Sequence, residues 1–286
     1  MKRRGSQERG SLMSLVKRHP IITFFVLTYA ISWGFLPIEA VGFMPGGPLL
    51  AALIVVPITQ GWAGLRELGS RMIRWRVRWY WYVVSIGLPL AVVLLTVGLN
   101  VALGASTPSP VQSGSVTTVL MVFAVRLLNP GDGALGEEPG WRGFALPGLQ
   151  STLSPLVSTL ILGVLVTGWH VPLLFLEEGG LQPSILVGYL LGTVAVTFWY
   201  SWLFNHTGGS VLITLVSHAT QGTIKIEPLW SASADVAQAT LLFSIVASAV
   251  AIGLVAFDWK TWRAPAATET TTPSMLPSRE APPVAP

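Results

Sequence analysis

Cysteine is absent from the 286-residue chain, which excludes disulfides and thiolate metal sites outright. Charge is nearly as scarce. Lys, Arg, Asp and Glu make up 10% of the residues, whereas a domain facing water on all sides carries about 25%. Much of the surface must therefore face something apolar, and an ordinary soluble enzyme is excluded. The formal net charge of +4 is small and sits beside apolar runs, so it marks orientation and not a nucleic-acid surface. Short segments of strict polar–apolar alternation are missing too, so a membrane β-barrel does not fit.

What is present is apolar. Hydrophobic residues make up 51% of the chain, mean hydropathy is +0.63, and the 12 Trp suit anchoring at a membrane interface. Apolar runs recur near 21–36, 48–63, 79–103, 116–128, 155–176, 184–204, 210–226 and 236–257. Runs approaching roughly 20 residues predict transmembrane helices, which satisfy their own backbone hydrogen bonds without water. The first run follows a basic head without a small-residue cleavage site, so it predicts a retained anchor. The expected fold is an all-α polytopic membrane helix bundle of about eight transmembrane helices. Lys2, Arg3, Arg4, Arg9, Lys17 and Arg18 crowd the N-terminus, and Arg66, Arg71, Arg74, Arg76 and Arg78 the connection 64–78. Residues 104–115 and 177–183 contain no Lys or Arg, and Lys260 and Arg263 follow the last run. Basic residues mark the cytoplasmic side, so both termini are expected there. The expected divisions are a basic head at 1–20, helices at 21–115, a motif-bearing core at 116–226, a last helix at 227–263 and a disordered tail at 264–286.

An ionisable group inside the bilayer is costly unless paired or hydrated, so the exceptions to the apolar pattern carry information. The first is Glu137-Glu138-Pro139-Gly140-Trp141-Arg142. Arg142 lies four residues beyond Glu138, so on a helix it shares that face and can pair with it. Pro139 tolerates a first-turn position, which predicts a short helix beginning near Glu138. The second and third are His170 and His218, each within an otherwise apolar run. Each feature has a plain alternative: a solvated ion pair in a connection, or a packed histidine bonding a neighbouring carbonyl. Together they are of kinds that do hydrolytic chemistry: a carboxylate can take a proton from water, and imidazoles can hold a metal or an oxyanion.

In their order, these residues resemble the CPBP family, the type II CAAX prenyl proteases and bacteriocin-processing intramembrane proteases. That family shows Glu-Glu-x-x-x-Arg, then Phe-x-x-x-His, then His-x-x-x-Asn on successive membrane helices. Glu137, Glu138 and Arg142 complete the first motif; His170 supplies the second, with Val166 at the Phe position. His218 supplies the third, with Gly222 at the Asn position and the amide of Gln221 one residue earlier. The resemblance makes 116–226 a CPBP-like protease core and implies an intramembrane endopeptidase. Glu137 would activate water, His170 and His218 would hold the water, a metal or the oxyanion, and Glu138 and Arg142 would orient the site. Glu137, His170 and His218 also resemble a catalytic zinc ligand set, and the family is described both as metallo- and as metal-independent glutamate proteases, so a divalent metal such as zinc stays open.

The expected partners are the lipid bilayer and a membrane-associated peptide or protein substrate, without nucleic acid, in a bacterial plasma membrane. Two other classes remain: a non-catalytic membrane binding or immunity protein of the same fold, which Gly222 favours, and a proton-coupled transporter using the buried glutamate.

Overall fold

The computed structural model describes residues 13–37, 42–108, 115–176, 183–224, 229–230 and 233–264. The basic head up to residue 12, residues 177–182 and the tail from 265 lie outside these residues.

Among the described residues every regular element is helical. Helix α1 (Pro20–Trp33) and helix α2 (Gly47–Met72) each place a proline in the first turn, where its missing amide would have no partner anyway. Gly61, at φ 64°, breaks α2 in two. Helix α3 spans Tyr80–Ala102, and α4 (Val116–Leu128) is capped by the Ser115 hydroxyl, which accepts from the Thr118 amide. Helix α5 (Gly133–Gly140) continues through a π-helical turn at Trp141–Ala145 into α6 (Leu146–Gln150). Then come α7 (Pro155–His170), the single turn α8 (Leu173–Leu176), α9 (Pro183–His206) and α10 (Val211–Thr223). Helices α11 (Ser233–Phe257) and α12 (Trp259–Trp262) end the described chain.

Six helical stretches among the described residues are long and apolar enough to cross a membrane: Gly47–Met72, Tyr80–Ala102, Val116–Gln150, Pro155–Phe175, Leu186–His206 and Ala234–Phe257. Two of the expected eight runs differ. The first forms α1, apolar but only 14 residues long. The seventh forms α10, whose 13 residues are mostly buried by protein. At about 1.5 Å per residue, neither matches the roughly 30 Å of hydrocarbon. Hydropathy cannot tell a helix buried in protein from one buried in lipid.

One apolar core gathers α1, α2, the α5–α6 segment, α7 and α10 around Phe24, Val55, Trp141, Leu162 and Ala219. A second lies among α3, α9 and α11 around Val92, Trp199 and Val246. Ser244 ties α11 to α9 by donating to the Gly188 carbonyl at 2.6 Å, a polar link of the kind that holds membrane helices together. Leu94 on α3, Met121 on α4 and Ile252 on α11 are exposed, as a lipid-facing surface requires.

The seat of α5 decides where the charged motif goes. Gly136 and Gly140 face the N-terminal part of α2 and its approach, and Gly143 faces Leu68 near the other end of α2. A Cβ on Gly140 would lie 2.5 Å from the Pro48 carbonyl oxygen, and one on Gly136 2.5 Å from that of Pro130. Small residues at this spacing let backbones approach closely. Residues 136–146 are consequently all buried. The helix begins at Gly133, not near Glu138. The left-handed turn at Gly133, φ 27°, sets the start, and Pro139 lies well inside the helix.

Candidate active site

Glu138 and Arg142 are one helical turn apart and both buried, at 0% and 2% exposure. The Arg142 Nη1 donates to Glu138 Oε1 at 3.0 Å, and Nη2 reaches the Thr197 carbonyl of α9 at 3.5 Å. The same Glu138 oxygen is 2.9 Å from His218 Nδ1 on α10. A carboxylate beside a guanidinium is ionised and can only accept, so Nδ1 of His218 carries the proton. Tyr200 of α9 stacks on His218 at 5.3 Å and lies under the Arg142 guanidinium at 5.0 Å, while its hydroxyl donates to Gln221 Oε1 at 3.2 Å.

Glu137 points the other way. The indole Nε1 of Trp141 donates to Glu137 Oε2 at 3.2 Å, and Nε2 of His170 lies 3.9 Å from that oxygen. That separation exceeds a hydrogen bond and suits a bridging water. The His170 ring is fixed from behind, its Nδ1 donating at 2.9 Å to the carbonyl of Val166. A backbone carbonyl anchors the imidazole here, so Val166 at the family's Phe position leaves this bond available. Phe43 and Trp169 flank the ring at 6.5 and 4.6 Å. In both histidines the Nδ1 proton is committed to a second group, which leaves Nε2 for chemistry.

The other oxygen of Glu137 faces an opening beside Gly133. A Cβ on Gly133 would meet His218 Nε2 at 3.6 Å, Glu137 Oε1 at 3.7 Å and Arg126 Nη1 at 3.8 Å. The point is free because the residue is glycine. Glu137, Arg142, His170 and His218 border a cavity of about 520 Å³ whose apolar walls include Val166, Val196 and Phe243.

The structure thus brings Glu137, Arg142, His170 and His218, from three separate stretches of sequence, to one cavity, with Glu138 enclosed behind it against Arg142 and His218. The sequence reading passed over Tyr200 and Thr197, which carry no signal in an apolar run. It also passed over Arg126, which had one: it is the sole charged residue of the 116–128 run. Among the described residues, no group of three His, Asp or Glu side chains is disposed to hold a metal ion. Glu137, His170 and His218 border the cavity without forming such a group.

The fold and site define a class: a polytopic helical membrane protein with a glutamate–histidine–arginine cluster enclosed in its bundle. Residues 115–224 match the family described as Type II CAAX prenyl endopeptidase Rce1-like. The chain is also similar to CAAX prenyl protease 2 of Methanococcus maripaludis, with 28% identity over 138 residues. That match covers 45% of this chain and 49% of the relative, so the chain spans about half the length of the curated protein it matches. The resemblance read from the three motifs is borne out.

Proposed function

We propose that the chain is an intramembrane endopeptidase of the plasma membrane, cleaving a membrane-held peptide with water activated by Glu137. The observation that carries this reading is the Glu137 carboxylate between two imidazoles whose Nδ1 protons are already committed, at the wall of one cavity. Glu137 takes a proton from the water, the water oxygen bonds to the scissile carbonyl carbon, and the carbonyl π pair moves onto oxygen. Nε2 of His170 accepts the second O–H of the water and orients it. His218, as an imidazolium stabilised by Glu138, donates from Nε2 to the oxyanion. Collapse then breaks the C–N bond while Glu137 returns the proton to the leaving nitrogen. One water is consumed, and an acid and an amine are released. Arg142 holds Glu138 and so positions His218.

The matched relative is named a prenyl protease, and the apolar cavity wall suits a lipidated or apolar peptide end. The proposed first substrate is therefore a farnesylated peptide ending in a CAAX sequence. The purified protein, reconstituted in liposomes, is expected to release its C-terminal tripeptide, followed by mass spectrometry. A positioned general base contributes about 100- to 10,000-fold, so Glu137→Gln is expected to lose at least about 100-fold in kcat. Equal cleavage of an unlipidated membrane peptide would remove the prenyl part of the proposal. An undiminished rate in Glu137→Gln would remove the protease reading itself.

A further inference from the structure

The third motif has no side chain where the family carries Asn, because position 222 is glycine. The space is nevertheless filled. A Cβ on Gly222 would lie 2.9 Å from Arg126 Nη1, 3.2 Å from its Cζ and 3.3 Å from its Cδ. The guanidinium of Arg126, carried by α4, thus lies directly against the bare Cα of Gly222, one turn beyond His218 on α10. Any residue larger than glycine at 222 would displace it.

The same guanidinium nitrogen faces the opening beside Gly133, with Glu137 Oε1 and His218 Nε2 around that point. Two glycines therefore make room for one arginine: Gly222 admits its head, and Gly133 opens the space between it and Glu137. Arg126 Nη1 also pairs with Asp132 at 2.9 Å, which fixes the head at the turn into α5. Its Nε is buried without a hydrogen-bond partner among the described residues. An ion pair that stays partly open to solvent, as this one does, contributes modestly to stability. A purely structural arginine would gain little from being threaded between two glycines beside the reacting carboxylate.

We propose that Arg126 is the second donor to the oxyanion, occupying the space of the missing amide at position 222 and acting with His218 Nε2. It is then a catalytic residue, positioned by Asp132. The inference rests on the protease reading above. A guanidinium carries a full charge in a fixed planar fork, so exchanging an amide for it keeps a donor and strengthens its field. The oxyanion exists only after water has added, so the interaction acts on the transition state and not on substrate binding.

The test uses the full chain in liposomes with the farnesylated CAAX peptide, and Glu137→Gln as the zero. Loss of one oxyanion donor costs about 100- to 1,000-fold in kcat, so Arg126→Ala is expected to fall by that order with KM nearly unchanged. Asp132→Asn loosens the head but keeps the guanidinium, and should lose clearly less kcat than Arg126→Ala. The decisive variant is the double Arg126→Ala with Gly222→Asn, which places an amide in the vacated space and should recover at least about tenfold, one donor being worth more than that. Gly222→Asn alone should be impaired, since it collides with Arg126. Thermal unfolding of each variant is measured in parallel. Equal losses of kcat in Arg126→Ala and Asp132→Asn, tracking equal losses of stability, would make Arg126 structural and overturn the proposal. So would a folded double variant as slow as Arg126→Ala. Glu137-dependent cleavage that Arg126→Ala leaves intact overturns this inference alone, whereas absence of any Glu137-dependent cleavage overturns the protease reading with it.

Discussion

The two adjacent glutamates are chemically identical and separated by one bond along the chain, yet the bundle gives them opposite surroundings. Glu138 is enclosed, with an arginine and an imidazole on one oxygen. Glu137 has a single indole donor on one oxygen and an opening before the other. A carboxylate already neutralised by a guanidinium is a poor base; one that borders the cavity and has no guanidinium paired with it is a usable one. The difference predicts different failures. Glu137→Gln should fold normally and lose activity. Arg142→Met strands the Glu138 charge, and breaking a buried pair from one side costs about 3–5 kcal/mol. Its unfolding midpoint in detergent should therefore fall sharply, and the double Glu138→Leu with Arg142→Met should recover part of the loss. A single Arg142→Met variant as stable as the native chain would contradict the enclosed ion pair.

At the scale of elements, the site depends on how closely α5 lies against α2. Gly140 has no room for a methyl group, since the Pro48 backbone occupies it. Overpacking a rigid contact costs typically about 1–3 kcal/mol. Gly140→Ala should lower stability by that amount and also displace Glu137 and Glu138 together, so activity should fall more than stability alone accounts for. Gly69, on α2 with nothing within 4 Å of an added Cβ, is the control: Gly69→Ala should leave activity intact. Equal effects at the two positions would show that the close contact does not set the site. Helix α4 is placed differently, with no residue fully buried, and it delivers Arg126 from the outside of the bundle to the space beside Gly222 and Gly133.

For the whole molecule, the absence of cysteine makes sidedness directly measurable. Arg76 and Thr107 are exposed and lie in connections. In sealed vesicles, Arg76→Cys should react with an impermeant maleimide from one side, and Thr107→Cys from the other. Residues 76 and 107 flank α3, a single crossing of the membrane. Labelling of both from one side would overturn the sidedness read from the basic residues.

The sequence by itself determined the solvent of this protein and the chemistry available to it. A 10% charge content leaves apolar surface that only lipid can cover, and every long run had to become a helix because lipid offers the backbone no partner. The few ionisable groups in those runs were legible for the same reason, since each is costly unless it is used. Tertiary structure alone decided which apolar runs face lipid and which face protein, as α10 shows, because hydropathy does not record what covers a surface. It alone decided which glutamate is enclosed and which is open. It alone set Arg126 against Gly222, nearly a hundred residues apart in sequence. A glycine has no side chain to announce what occupies its space, and only the packing of two helices puts that occupant in view.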